Sequence, residues 1–106
     1  MSILVDLDGT LALYDGWKGK EHIGEPVPAM LFRVRNWIEN GEEVRIFTAR
    51  ASDKTAIPYV RGWLKKLGLG ELEITNTKDF TVTELWDDRA VQVEPNTGKR
   101  IDGKRG

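Results

Sequence analysis

The chain has 106 residues, enough for one core and not for two, and its 40% apolar and 31% charged residues exclude a disordered or fibrous chain. Lysine and arginine number 16 against 17 acidic residues, a net charge of −1, so no global field marks nucleic acid or membrane as a partner. The lack of cysteine excludes disulfides, thiolate chemistry and cysteine zinc sites, and the single histidine, His22, excludes a multi-histidine metal site.

Residues 2–7, with the apolar run Ile3-Leu4-Val5, predict a buried strand that runs into Asp6-Leu7-Asp8-Gly9-Thr10. Ionised groups are costly to crowd at a core edge unless something pairs with them. Side chains alternate along a strand, so Asp6 and Asp8 would share a face if the strand continued. Residues 9–27, broken by glycines and Pro26, predict an irregular loop or flap. Residues 28–40 predict a helix, with Pro28 in its first turn, Met30, Leu31, Val34, Trp37 and Ile38 on one face, and Asn40-Gly41 as its stop.

Val44 to Phe47 predicts a second strand, ending in Thr48-Ala49-Arg50. A second helix is predicted from about Thr55 to Leu67, with Ile57, Val60, Trp63, Leu64 and Leu67 as its buried stripe and Gly68 after it; Pro58 must lie in its first turn. Leu72 to Thr75 predicts a weak third strand, and Thr83 to Trp86 a fourth that ends in Asp87-Asp88-Arg89. Val91-Gln92-Val93, the turn Pro95 to Gly98 and Lys99 to Ile101 predict a small terminal hairpin, followed by a basic tail over 102–106. There is no secretory signal pattern or membrane span, so a cytoplasmic location is expected, and with no obligate protein partner evident a monomer is expected.

Strand and helix alternate, so the expected fold is α/β: one domain over 1–106, with a small Rossmann-like parallel sheet and flanking helices. In such sheets functional groups gather at the carboxyl ends of the strands. Asp6 and Asp8, Thr48 and Arg50, Thr75 to Lys78, and Asp87 and Asp88 are thereby expected on one rim. Carboxylates converging with a lysine invite a divalent cation bound by oxygen donors, Mg²⁺ or Mn²⁺, with substrate phosphate as a further ligand. One Asp of the first pair can then attack phosphorus, and the second can protonate the leaving oxygen and later activate water. Thr48 offers a hydroxyl to a phosphate oxygen, and Lys78 charge neutralisation.

The order Asp6-x-Asp8-Gly9-Thr10, Thr48, Lys78, Asp87-Asp88 resembles the four motifs of the haloacid dehalogenase superfamily of phosphatases, over Leu4 to about Val93. The resemblance implies that Asp6 is the nucleophile that becomes an aspartyl-phosphate. Asp8 is implied as the general acid/base, with its backbone carbonyl on the metal. Thr48 and Lys78 hold the phosphoryl group, Asp88 matches the direct metal ligand, and Asp87 a supporting one. An acid at Asp8 argues for phosphate rather than dehalogenase chemistry. The stretch 9–27 is too short for a cap domain, and capless members have open sites suited to large substrates. Thr48-Ala49-Arg50 together with Asp87-Asp88-Arg89 is similar to the 3′-phosphatase domain of polynucleotide kinase-phosphatases and to small phage-encoded relatives. That similarity implies a nucleic-acid end as the phosphorylated substrate. Gly9, Thr10, Ala49, Arg50 and Arg89 would contact it. Trp17, beside Lys18 and Lys20, would either stack on a base or staple the flap to the body.

Each cluster also has a plainer reading. Asp6 and Asp8 could be solvated acids, Thr48 a helix cap or turn residue, Lys78 a surface lysine, and Asp87-Asp88 a cap. A phosphoacceptor receiver domain uses the same residue types, but with the acidic pair first and the phosphorylated Asp after the third strand; here the acidic pair comes last. A phosphatase of mononucleotides or other small molecules, and a module that binds phosphate without turnover, would use the same residues.

Overall fold

The computed structural model describes residues 1–102. Its elements in chain order are strand β1 (Ser2–Asp6), helix α1 (Pro28–Glu39), strand β2 (Glu43–Phe47), a single-turn 3-10 helix (Ala49–Ser52), helix α2 (Ile57–Lys66), strand β3 (Glu73–Thr75) and strand β4 (Val82–Trp86). The four strands form one all-parallel sheet in the order β3-β2-β1-β4. The fold is therefore α/β, as the alternating pattern predicts.

β1 and β2 form the centre: Ile3 and Val5 of β1 and Val44 and Ile46 of β2 are buried on one face, and Ser2, Leu4 and Arg45 are buried on the other, as interior parallel strands require. Ile3, Val5 and Leu7 face one way and meet Val44, Ile46, Met30 and Val34 of α1, and Val60 and Leu64 of α2 in one core cluster. β1 to β2 to β3 steps in one direction along the sheet, so right-handed crossovers put both helices on the same face. The helices thus flank one face, not two.

The opposite face carries Ser2, Leu4 and Arg45. It is crossed by the segment 76–81, which must pass from one sheet edge to the other, about 14 Å at the usual strand spacing, while also descending to the start of β4. Six residues nearly fully extended cover about 20 Å, so no helix fits there. Buried Arg45 pins this crossover. It donates to Asp79 Oδ2 at 3.0 Å and Oδ1 at 3.2 Å, to Thr81 Oγ1 at 2.6 Å and to Ser2 Oγ at 2.7 Å. That fork holds the Asp79 carboxyl well below the ordinary carboxylate range.

Two expectations are corrected in detail. Ile38 is 39% exposed, since the buried stripe of α1 is the narrower Met30 and Val34 row with Leu31 and Trp37 beside it. The terminal hairpin is a single bridge, Val93 to Arg100, rather than two strands, and Asn96 and Gly98 take left-handed backbone in its turn. Of the basic tail, Asp102 pairs with Arg100 at 2.8 Å, and 103–106 lie outside the described residues. No helix among the described residues is long and apolar enough to cross a membrane.

Candidate active site

β1 ends at Asp6 because the chain turns immediately. Leu7 O accepts from Leu11 N at 3.0 Å and Ala12 N at 2.8 Å, which closes a tight loop. β4 runs parallel beside β1 with Val5 opposite Trp86, so Asp87 and Asp88 emerge next to Asp6. One carboxylate oxygen from each of Asp6, Asp87 and Asp88 lies within 4.8 Å of the others. Among the described residues no lysine or arginine makes an ion pair with any of the three. Asp6 is accordingly pushed up to about 7, first by burial, then by the hydrogen bond it shares with Asp88 and by repulsion from Asp87 and Asp88.

Gly9 and Thr10 serve this cluster rather than an open substrate surface. Gly9 has φ +93°, and a Cβ there would lie 2.5 Å from Asp88 Oδ2, so only glycine lets the acid sit against the loop. Thr10 Oγ1 donates to Asp88 Oδ1 at 3.2 Å and accepts from Asp88 N at 3.0 Å. Asp87 Oδ1 accepts from Arg89 N at 2.8 Å. Three hard, fixed carboxylate donors suit Mg²⁺ or Mn²⁺.

Asp8 stands apart from the triad. Arg50 Nε donates to its Oδ2 at 2.8 Å and Arg50 Nη2 to its Oδ1 at 2.9 Å, a fork-to-fork pair across 42 residues of sequence. Asp8 therefore brings no carboxylate oxygen to the acidic cluster. Arg50, expected to be available to substrate, is buried and engaged. Thr48 is also buried, and its Oγ1 accepts from Arg50 N at 3.1 Å, capping the 3-10 turn.

Asp6, Asp8, Thr48, Ala49, Arg50, Trp17, Asp87 and Arg89 all line one cavity of about 490 Å³. Tyr14, Lys20, Ser52 and Asp53 line it too, and sequence reasoning did not single them out as site residues. An aromatic pair spaced through a polar, glycine-broken loop was the available signal for Tyr14; nothing local marks Ser52 or Asp53. Lys78 is not in this cavity. It lines a separate groove over the crossover with Asp79, Phe80, Thr83 and Leu85, because the extended segment leaves the rim directly after Thr75.

Comparison with protein-family models, with curated proteins and with solved structures finds no match to the chain.

Proposed function

We propose that the chain is a divalent-cation-dependent phosphomonoester hydrolase of the haloacid dehalogenase type, acting through an aspartyl-phosphate on Asp6. The observation that carries this reading is the meeting of Asp6, Asp87 and Asp88 within 4.8 Å, with Asp6 and Asp87 lining the cavity that also holds Asp8. Asp6, Asp87 and Asp88 would hold Mg²⁺ or Mn²⁺, which supplies charge neutralisation and orientation for a phosphoryl group. An Asp6 carboxylate oxygen attacks phosphorus, and the leaving oxygen departs as the phosphoryl group passes to Asp6. In its protonated form Asp8 gives its proton to that leaving oxygen. The resulting carboxylate, the form that Arg50 pairs with here, then takes a proton from a water whose oxygen bonds to phosphorus as the bond to Asp6 breaks, releasing phosphate. Thr48 and the 3-10 turn behind it form the wall of the cavity.

The substrate we propose is a polynucleotide 3′-phosphate. One face of the Trp17 ring lies over Arg50, which staples the loop to the body. The residue remains 58% exposed at the cavity with its other face available for stacking, and Lys20 and Arg89 add positive charge there. The volume of about 490 Å³ also accommodates a mononucleotide, which is the second reading. A phosphate-release panel tests both: 3′- and 5′-phosphorylated oligonucleotides, mononucleotides, sugar phosphates and phosphopeptides, each with Mg²⁺ and with chelator. Preference for the 3′-phosphorylated oligonucleotide is expected. Preference for mononucleotides overturns the substrate and keeps the chemistry; metal-independent release overturns the chemistry.

A further inference from the structure

Residues 13–25 form no helix or strand, yet the loop is tied down at points remote in sequence. Leu13 N donates to Glu25 O at 2.8 Å, Trp63 Nε1 to Gly24 O at 2.9 Å, and Lys20 Nζ to Thr55 Oγ1 at 2.7 Å. Its inner side is held by Arg50. Besides the two bonds to Asp8, Arg50 Nη1 donates to Lys20 O at 3.1 Å and Nη2 to His22 O at 2.9 Å. The guanidinium carbon lies 4.7 Å from the centroid of the Trp17 ring.

One buried, planar cation thus joins the carboxylate of Asp8 to the loop that carries Trp17 and Lys20. A guanidinium fork has fixed geometry, so its bonds to the loop carbonyls and to the carboxylate are not adjusted independently. The Arg50 backbone is itself fixed by Thr48 Oγ1 and by Asp53 N, which donates to Arg50 O at 3.1 Å.

We propose that Arg50 is a positioning residue that makes the seating of loop 13–25 and the alignment of Asp8 one event. The proposal rests on the phosphatase reading for its catalytic consequence and on contacts alone for its structural one. Lysine at this position keeps one charge beside Asp8 but cannot span the carboxylate, two carbonyls and the ring together. Arg50 is taken up by these partners, so its loss acts on turnover rather than on substrate affinity.

Hydrogen exchange of the loop amides and steady-state kinetics on p-nitrophenyl phosphate, in the same variants, test this. Arg50→Ala and Arg50→Lys are expected to speed exchange over residues 13–25 by about tenfold or more while β1 and β2 stay protected. Coupling is reciprocal. Asp8→Ala, whose carboxylate is linked to the loop through Arg50, is therefore expected to speed the same amides by about threefold. Trp17→Ala, a change at an exposed ring, keeps the test alive if the Arg50 variants fold poorly, and is expected to speed loop exchange severalfold. For Arg50→Lys, kcat is expected to fall about 100-fold with KM nearly unchanged, the signature of a misaligned group. Unchanged loop exchange in Arg50→Ala or in Asp8→Ala overturns the proposal, as does a rise in KM at constant kcat. A wild-type protein that releases no phosphate from any substrate contradicts the phosphatase reading instead, and exchange still decides the role of Arg50.

Discussion

At the scale of single residues, the acidic cluster explains more than any other feature. Three carboxylates share one small volume, and the protein supplies no cation to any of them among the described residues. Without metal, Asp6 answers by holding a proton up to about pH 7 against an ordinary value of 3.8. The folded chain then binds more protons than the unfolded one between those values. The contribution of Asp6 to stability is full below about pH 4 and is lost as pH rises through about 7. A divalent cation competes with that proton, so the rise in melting temperature caused by Mg²⁺ is expected to be larger at about pH 8 than at about pH 5.5. Asp6→Asn should flatten this difference; an equal Mg²⁺ effect at both pH values in the wild type contradicts it. Gly9→Ala is expected to weaken Mg²⁺ binding, read by the same thermal shift, because its Cβ would displace the Asp88 carboxylate in addition to straining φ +93°.

Elements set these residues in place. β4 is an edge strand whose end is held by packing: Trp86 meets Trp37 of α1 with ring centroids 5.2 Å apart and inclined at 58°, and Arg33 lies 5.3 Å from the Trp86 ring. Asp87 and Asp88 follow directly. Trp86→Ala is therefore expected both to destabilise the fold, by about 2–4 kcal/mol in chemical denaturation, and to reduce the Mg²⁺ thermal shift. Destabilisation with the metal effect intact would separate β4 packing from the site. On the other sheet face, Leu4 is fully buried although no helix covers it. Leu4→Ala should cost about 3 kcal/mol in chemical denaturation if the crossover and the Arg45 cluster seal that face; a cost under about 1 kcal/mol shows that they do not. These elements were legible to different degrees in the sequence. The apolar runs of β1 and β2 and the glycines after each helix mark their own boundaries, because local sterics and burial decide them. Of the 3-10 turn only the cap reading of Thr48 was legible, since the helix is one turn long and depends on Thr48 Oγ1 accepting from Arg50 N.

For the molecule as a whole, strand order decides which polar clusters meet. Asp6, Asp8, Thr48, Asp87 and Arg89 reach one cavity because β1 is central and its neighbours run parallel to it. Spacing along the chain foreshadows that gathering, as each cluster follows an apolar run. Lys78 departs from it for a reason no local pattern holds: β3 and β4 occupy opposite edges, and the short link between them must leave the rim at once. The Asp8–Arg50 pair was equally hidden, since its partners lie 42 residues apart and each has a local explanation of its own. The same architecture leaves the proposed chemistry with one nucleophile, Asp6, and one acid/base, Asp8. Mass analysis of acid-quenched protein during turnover with Mg²⁺ tests that assignment most directly, using the wild type and Asp8→Asn, which should slow release of the phosphoryl group. The expected result is a single phosphoryl group on Asp6, absent with chelator and absent in Asp6→Asn, which loses turnover by about a thousandfold or more. Phosphate release at the wild-type rate by Asp6→Asn, or steady turnover with no phosphoryl group on Asp6 in either protein, would contradict it.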